Sequence, residues 1–322
     1  MDSPEPAGAA RAGVRGATRH KHGEAYVLLV FTMACWGGNA VAGRLAVGQV
    51  SPMVITCLRW AIVSLVLGSI TLPRLIAARS ELTRYWRRIV LMAACGFSIF
   101  NALFYVAAHY TTGVNMAILQ GGMPVFVVLG AVVAYGARID MIQAFGIAAT
   151  LIGVAIVATG GHPATLATFR FNFGDGLLLI ACVLYAGYTL ALRNRPNVSS
   201  LVFLAAMAII AFLTSLPLLA YEMVAGTAEW PTPKGWAILA FIAIFPSLLA
   251  QLSFMRGVAL IGPSRAGLFA NLAPPFGAFF AVVILGEPFA LYHLVALVLV
   301  VGGILVAEAA GRLRDSAGRR PI

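Results

Sequence analysis

Long, almost unbroken apolar runs dominate this chain, and short polar segments separate them. A helix needs about 20 mostly apolar residues to cross the hydrocarbon core of a bilayer. Barrel strands would instead alternate apolar and polar residues over about ten positions. The pattern therefore predicts an all-α integral membrane protein with ten transmembrane helices, near 25–46, 53–72, 88–109, 112–135, 141–159, 175–193, 199–221, 235–255, 263–285 and 289–309.

The composition supports a membrane protein. Of the 322 residues, 61% are hydrophobic and only 10% are charged, whereas about a quarter are charged in soluble domains. The net charge of +11 does not indicate nucleic-acid binding, because the basic residues lie between apolar runs and not on one face of a soluble module. Four cysteines without metal-ligand spacing indicate neither a disulfide framework nor a metal site: Cys35, Cys57, Cys95 and Cys182.

The positions of the Lys and Arg residues predict the orientation, because basic residues stay on the cytoplasmic side of a membrane. With both termini cytoplasmic, eighteen of the 22 lie on that side, two lie in the opposite loops, and Arg44 and Arg59 lie within helices. We therefore expect a multi-pass protein of a plasma membrane or bacterial inner membrane. Its basic cytoplasmic tails would be 1–24 and 310–322, with no cleaved signal peptide.

The two halves of the chain resemble each other. An offset of 150 places Pro124 on Pro274 and, after four further identities, Gly136 on Gly286. Each half is therefore predicted to be one five-helix repeat, at 25–160 and 174–309. Because five is odd, the second repeat must enter the membrane upside down, which is the inverted-repeat architecture of secondary transporters.

The aligned prolines, Pro124 and Pro274, lie inside the fourth and ninth predicted helices. A proline in a helix interior removes one backbone hydrogen bond and costs about 3 kcal/mol. In lipid, the freed carbonyl group must find another partner. Two interpretations stay open: the helices break beside a central cavity, or the prolines only bend two packed helices.

Polar and aromatic side chains collect near the predicted midplane of the membrane. Each buried amide needs a hydrogen-bond partner, so these groups either tie helices together or line a substrate site. Amides at the equivalent positions 101 and 251 favour a site shared by both repeats. The candidate substrate-binding residues are Trp36, Asn39, Arg59, Asn101, Tyr105, Gln120, Tyr185, Tyr188, Gln251 and Asn271.

Arg59 places a charge roughly 10 Å inside the second predicted helix, at a cost of about 2.5 to 3.5 kcal/mol. No acidic residue is close to it in sequence. It can extend to the membrane surface, bond to carbonyl groups of a broken helix, or attract an anionic group of a substrate. The candidate set contains no carboxylate, so a neutral, zwitterionic or amphipathic substrate is favoured over a bare inorganic cation.

Three segments resemble the EamA group of the drug/metabolite transporter superfamily: "CLRWAIVSLVLG", "NMAILQGGMPVFVVL" and "AGLFANLAPPFGAFFAVVILGEP". The resemblance covers about 25–309. It implies a basket-shaped transporter that exports small metabolites such as amino acids, with a central cavity lined mainly by helices 1, 3, 4, 6, 8 and 9. The first repeat departs from the pattern, since Glu287 corresponds to Ala137.

The sequence thus predicts a secondary transporter, an exporter of small metabolites, whose partners are its substrate and the lipid bilayer. An importer or exchanger of sugar-linked or phosphorylated metabolites is the alternative within transport. A membrane-embedded enzyme or scaffold is the alternative of another class, but the chain has no motif for ATP binding or metal-dependent hydrolysis. We expect no cofactor.

Overall fold

The architecture is all-helical. The computed structural model describes residues 7–136, 139–162, 172–261, 266 and 269–317, and every regular element within them is a helix. A short helix, Arg79–Arg84, connects the second main helix to the third. The main helices are α1 (Ala7–Ala46), α2 (Pro52–Ala77), α3 (Trp86–Ala107), α4 (Gly113–Tyr135), α5 (Met141–Ala158), α6 (Phe173–Asn194), α7 (Ser200–Val224), α8 (Pro233–Ile261), α9 (Ala270–Leu285) and α10 (Leu291–Ala317).

Within the described residues, eight helices are long and apolar enough to cross a membrane, and these lie in α1 to α8. The ninth and tenth predicted spans fall on two shorter apolar helices, α9 and the Leu291–Ala307 part of α10. Helix α1 begins at Ala7 and α10 ends at Ala317, so both enter the segments that the sequence assigned to basic tails. Hydropathy detects only the part of a helix that lipid would surround.

Side chains at the helix ends explain several boundaries. Thr112, Asp140 and Asn172 each accept a hydrogen bond from a backbone N–H in the first turn of α4, α5 or α6, as N-cap residues do. Helices α4 and α9 end at Gly136 and Gly286, with φ of 63° and 67°. Glycine adopts this left-handed conformation without steric cost. The repeat therefore preserves the ends of these two helices.

Helices α5 and α10, which are equivalent in the two repeats, pack closely in antiparallel orientation. A Cβ atom added to Gly146 would overlap the backbone of Gly303. One added to Gly153 would lie 2.8 Å from the Ala296 carbonyl oxygen. Gly153 and Gly303 are themselves equivalent at the offset of 150, so the two contacts are related by a pseudo-two-fold axis.

Helices α4 and α9, which carry the aligned prolines, are another equivalent pair. They also pack antiparallel. A Cβ atom added to Gly277 would lie 2.6 Å from the Cβ atom of Ala117, and one added to Gly121 would overlap the ring of Pro274. Helices α2 and α7 form the third equivalent pair in contact. These antiparallel contacts agree with the inverted arrangement that an odd number of helices per repeat predicts.

The two ends of the bundle differ in packing. The distal end carries the connections 47–51, 108–112, 225–232 and 286–290, and the terminal end lies opposite, on the side of Glu24. Toward the distal end, one cluster of buried apolar residues joins α1 to α6 with α8 to α10. Toward the terminal end, α2, α3, α7 and α8 form one cluster, and α4, α5 and α10 form another. The buried apolar residues therefore divide into two clusters there, while α4 and α6 stay in contact through Gly130, Tyr135 and Leu190.

Candidate functional site

Arg59 of α2 is buried, with 6% of its surface exposed. Its Nε donates to the hydroxyl of Ser247 on α8 at 2.6 Å. Its Nη1 donates to Oδ1 of Asn101 and to the hydroxyl of Tyr105, both on α3 and both at 2.7 Å. One guanidinium group therefore connects three helices inside the bundle.

The hydrogen bonds continue beyond the guanidinium group. The Asn101 amide donates to the Phe97 carbonyl oxygen one turn earlier, and the Tyr105 hydroxyl donates to Oδ1 of Asn39 on α1 at 3.4 Å. Four of the residues singled out from the sequence thus lie in one network. We call it the Arg59 cluster, and it consists of Asn39, Arg59, Asn101, Tyr105 and Ser247.

The Arg59 cluster carries an unpaired positive charge. In the described part of the chain, ion pairs join Arg44 to Glu287 and Arg256 to Glu24, and no acidic group pairs with Arg59. Its hydrogen-bond partners are two hydroxyls and an amide, which are all neutral. The Trp60 ring lies 5.2 Å from the guanidinium carbon. A buried charge without a counter-ion is costly, so neutral oxygens and an aromatic ring are its only compensation among the described residues.

Ser247, which the sequence analysis did not single out, lies in a π-helical segment of α8, Ala243–Leu249. Pro246 in this segment has no N–H, so the Ile242 carbonyl oxygen loses its usual donor. The Ser247 hydroxyl donates to that oxygen at 2.6 Å and accepts from Arg59. The Ser247 hydroxyl therefore replaces the missing donor of α8 and also accepts a hydrogen bond from the guanidinium group of Arg59.

A second π-helical segment, Ala94–Ile99, occupies the equivalent place in α3. Its Ser98 also bonds five residues back, to the Ala93 carbonyl oxygen at 3.4 Å. Ser98 and Ser247 are aligned at an offset of 149, and this alignment is the sequence signal that could have identified Ser247. Ser98 additionally contacts Thr214 of α7, whereas Ser247 contacts Arg59 of α2.

The predicted aromatic residues lie on both sides of the Arg59 cluster. Tyr185 and Tyr188 of α6 pack against each other with ring centroids 5.2 Å apart. Tyr188 also contacts Phe97 at 5.4 Å, and Phe97 stacks on Trp60 at 4.5 Å. On the other side, the Trp36 indole N–H donates to a backbone carbonyl oxygen of the π-helical segment in α8 at 3.3 Å.

The remaining predicted amides differ in their contacts. The Gln120 amide donates to its own helix, at the Met116 carbonyl oxygen. Asn271 is buried in the 3-10 turn that begins α9. Gln251 forms no hydrogen bond with a described residue and lies one turn after Ser247, on the same face of α8. The equivalent amides therefore differ, because Asn101 is engaged with Arg59 and Gln251 is not.

The two aligned prolines follow local interruptions of their helices. In α4 the regular helix stops at Gly121 and resumes at Met123, just before Pro124. In α9 a 3-10 turn precedes the regular helix that contains Pro274. Pro274 is buried against α4, and Pro124 is partly buried. Proline at the first helical positions is tolerated because its missing N–H would have no intrahelical partner.

Carboxylates close the distal end. Glu287 accepts from the backbone N–H groups of Gly113 and Val114 at 2.8 and 2.9 Å. Its Oε1 lies 3.7 Å from Nε of Arg44, whose Nη1 bonds to the Ala108 carbonyl oxygen. The sequence analysis singled out Glu287 only because Ala137 takes its place in the first repeat. Its charge now lies at the positive N-terminus of α4, where a carboxylate is stabilised.

Glu222, near the end of α7, likewise caps the N-terminus of α2. Its carboxylate accepts from the Ser51 hydroxyl at 2.6 Å and from the N–H groups of Met53 and Val54 at 3.3 and 3.2 Å. The two partners are about 170 positions apart in sequence. Glu222 and Glu287 therefore serve as helix caps at this end, and the buried Asp175 of α6 accepts hydrogen bonds from Thr111 and Asn115, so none of the three bonds to the Arg59 cluster.

A separate groove of about 540 Å³ lies between α1, α8 and α9. It is almost wholly apolar, with Phe31, Cys35, Phe241 and Phe280 in its walls and Lys234 as its charged residue. None of the predicted site residues lines it. No group of three or more metal-ligating side chains occurs in the described segments, and the four cysteines are free thiols.

Known proteins resemble the chain over most of its length. The model of the EamA-like transporter family matches twice, at residues 23–159 and 172–308. An uncharacterized transporter of Bacillus subtilis (strain 168), YyaM, is 25% identical over 91% of this chain and 96% of its own length. A probable terminal-alkyne amino-acid exporter of Streptantibioticus cattleyicolor is 27% identical over 91% and 97%.

The fold also resembles a solved one. A protein of known crystal structure superimposes with a TM-score of 0.63 at 19% identity, over 89% of this chain and 98% of its own. The helices are apolar, they pack as antiparallel equivalent pairs, and both repeats match one family of transporters. This is the arrangement of a multi-pass membrane protein, and the chain belongs to the EamA-like transporter family.

Proposed function

We propose that the chain is a secondary transporter that exports small amphipathic metabolites, such as amino acids, by alternating access. The observation that carries the proposal is the Arg59 cluster, where α1, α2 and α3 of the first repeat meet α8 of the second. Inverted-repeat transporters bind substrate between their two units. The relative named as a probable amino-acid exporter supports the substrate class.

The proposed topology has ten spans, both termini in the cytoplasm, and repeats at 25–160 and 174–309 that surround a central cavity like a basket. The excess of Lys and Arg residues in the loops on one side supports this orientation. The terminal end is then cytoplasmic. The distal end holds a single apolar core and the terminal end holds two clusters, so we propose that the substrate reaches the site from the terminal end.

The substrate-binding residues that we propose are those expected from the sequence, with Ser247 added. The Arg59 cluster lies at the centre of the proposed site, and Gln251 supplies an amide one turn nearer the proposed cytoplasmic side. Tyr185 and Tyr188 provide apolar walls. A few orienting polar groups among apolar walls are typical of sites for small molecules.

A transporter of phosphorylated or sugar-linked metabolites is the second candidate, and the unpaired charge of Arg59 is the observation that favours it. A phosphate group carries a charge of about −1.5 to −2 at pH 7, which one guanidinium group does not neutralise. The Arg59 cluster contains one cation, the guanidinium group of Arg59. The exporter of amphipathic metabolites is therefore the proposal that we prefer.

Counterflow in proteoliposomes tests the proposal. Purified protein is loaded with unlabelled compound, and uptake of the labelled compound is measured for amino acids, nucleosides, sugars, sugar phosphates and cationic drugs. We expect counterflow with an amino acid or a related amphipathic compound. Exchange restricted to sugar phosphates would establish the second candidate instead.

Variants then test the site. Asn101→Ala and Gln251→Ala are each expected to lower counterflow, and Ser69→Ala, an exposed hydroxyl bonded only within α2, is the matched control. If both amide variants fold, insert and transport like the wild type, these side chains only tie helices together. A C-terminal reporter that is active only outside the cytoplasm would overturn the proposed topology.

A further inference from the structure

We propose that Arg59 recognises a carboxylate group of the transported molecule, so that the substrate is an amphipathic carboxylic acid with an apolar body. The inference rests on the proposed transport function and names the class of its substrate. It starts from the charge of a side chain that is buried among neutral groups.

The hydrogen-bond capacity of Arg59 is incompletely used. A guanidinium group has five N–H donors in a fixed planar fork. Nε and Nη1 bond to Ser247, Asn101 and Tyr105, while Nη2 bonds to no described residue. The indole N–H of the adjacent Trp60 is also buried and has no acceptor among the described residues. The neighbourhood therefore has spare donors and an excess positive charge, which is the chemistry that binds an anion.

The acids among the described side chains do not supply that anion, and the buried Asp175 bonds to Thr111 and Asn115. Glu222 and Glu287 are held at the distal end by the helix N-termini that they cap. Glu24 pairs with Arg256 at the terminal end. A counter-ion for Arg59 must therefore come from outside the described side chains. A ligand that reaches the Arg59 cluster is such a source, and its binding removes the cost of the uncompensated charge.

The charge count selects a monoanion. Arg44, the other arginine inside a predicted span, is committed to Glu287 and the Ala108 carbonyl oxygen. One guanidinium group matches one carboxylate in charge and in planar geometry. A phosphate dianion at the same place would keep an unpaired negative charge in the bundle, at a cost of the same kind.

The surroundings indicate the rest of the ligand. Trp60, Phe97 and Tyr188 form a continuous series of ring contacts that leads away from Arg59 to Tyr185. Gln251 offers an amide that no described residue uses, on the face of α8 that carries Ser247. A carboxylate on Arg59 would place an aliphatic or aromatic body along these rings. The amide of Gln251 could accept a hydrogen bond from an amino group of the ligand.

Binding is tested first, without transport. Purified full-length protein is heated with a thiol-reactive fluorophore, which reports unfolding through the four native cysteines. The probes are sodium propionate, its neutral isostere propionamide, sodium chloride and sodium phosphate. Because a ligand of the native state stabilises it, we expect a saturable rise in melting temperature with propionate only. An equal rise with chloride or phosphate would contradict carboxylate recognition.

Substitutions test whether propionate binding depends on Arg59. Arg59→Gln and Arg59→Lys are expected to weaken the apparent affinity for propionate by at least about tenfold, since a charge-assisted fork is lost. Arg256→Gln removes the same charge from an exposed position and should leave it unchanged. The lysine variant keeps the test valid if the glutamine variant does not fold. Propionate affinity that is unchanged in both Arg59 variants would overturn the proposal.

Transport separates this inference from the proposed function. Counterflow of L-leucine is compared with that of L-leucinamide, which lacks the carboxylate. We expect Arg59→Lys to reduce L-leucine counterflow at least about tenfold and to affect leucinamide much less. Unchanged L-leucine counterflow in that variant leaves the exporter standing and refutes the carboxylate site. Arg59-dependent propionate binding without counterflow of any amino acid refutes the exporter of amino acids and leaves the site standing.

Discussion

The distal and terminal ends of the bundle hold their helices together by different means. At the distal end, one apolar core spans nine helices, and the carboxylates of Glu222 and Glu287 cap α2 and α4. At the terminal end, the core divides into two clusters, and the ion pair between Glu24 and Arg256 is largely exposed. Two repeats of similar sequence have therefore produced a bundle whose apolar core is continuous at one end and divided at the other.

The asymmetry of the two ends originates in acidic residues that the repeat does not share. The tight glycine contacts of α5 with α10 are shared by both ends, so they hold the bundle without favouring either end. Glu287 is not shared, because the aligned position in the first repeat is Ala137, which lies outside the described residues. An alanine has no carboxylate with which to cap a helix. Together with Glu222, which caps α2 at the same end, Glu287 distinguishes two ends that the repeat would otherwise make alike.

The largest loss of stability is expected at the glycine contact between α5 and α10, which both ends share. Gly303→Val would force a side chain into the backbone of Gly146, and overpacking of this kind costs about 3 kcal/mol or more. We expect loss of a cooperative thermal transition in purified protein. Gly302→Val is the matched control, because a Cβ atom there has open space around it. Equal melting temperatures for the two variants would contradict the tight contact.

The next effect concerns the distal end alone. Glu222→Ala would remove three acceptor contacts from the start of α2, and we expect a loss of about 2 kcal/mol in the free energy of unfolding. Denaturant titration in detergent measures it. Glu229→Ala, an exposed acid close by, should change stability by less than about 0.5 kcal/mol. Equal losses in both variants would mean that the cap is unimportant.

Glu287→Gln is expected to loosen the distal end without unfolding the protein. The variant loses the ion pair with Arg44 and keeps weaker, neutral hydrogen bonds to α4. A cysteine replacing Ala108, which is fully buried, reports the opening in a chain whose native cysteines are replaced by alanine. We expect labelling to accelerate about fivefold, equivalent to about 1 kcal/mol. A rate equal to that of the Ala108→Cys parent would contradict the role of Glu287.

The smallest effect is expected at the terminal end. Glu24→Gln removes the partner of Arg256 in a pair whose side chains are 47% and 60% exposed. Exposed ion pairs contribute about 0 to 1 kcal/mol and are screened by salt. We expect a change below about 0.5 kcal/mol in the free energy of unfolding, measured at low and high salt. A larger loss than that of Glu222→Ala would reverse the comparison of the two ends.

The sequence predicted the class of fold because apolar runs are local signals and because the repeat can be found by aligning the chain with itself. It also brought Asn39, Arg59, Asn101 and Tyr105 into view, because polar groups are conspicuous in an apolar run. It could not show that Asn101 bonds to Arg59 while Gln251 stays unbonded. Both amides look alike in sequence, and their partners are set by how the helices pack.

Two features escaped the sequence for physical reasons. Ser247 is inconspicuous, since serine is common in membrane helices and the π-helical register that positions it leaves no periodic signal. The cap of α2 by Glu222 joins residues about 170 positions apart, so no window of sequence contains both. The sequence did not predict the polar extensions of α1 and α10, because hydropathy identifies only the apolar part of a helix that crosses the bilayer.

The π-helical segments Ala94–Ile99 and Ala243–Leu249 also bear on how these helices tolerate deletions. A π-helical turn holds one more residue than the regular turn that it replaces. Deleting one residue inside 94–99 should therefore convert the π-helical turn into a regular turn and keep Asn101 on the same face of α3. Deleting one residue nearer the start of α3 should rotate the preceding part by about 100° relative to the rest. A deletion scan of α3, read out as folded protein, is expected to show one permissive window at the bulge.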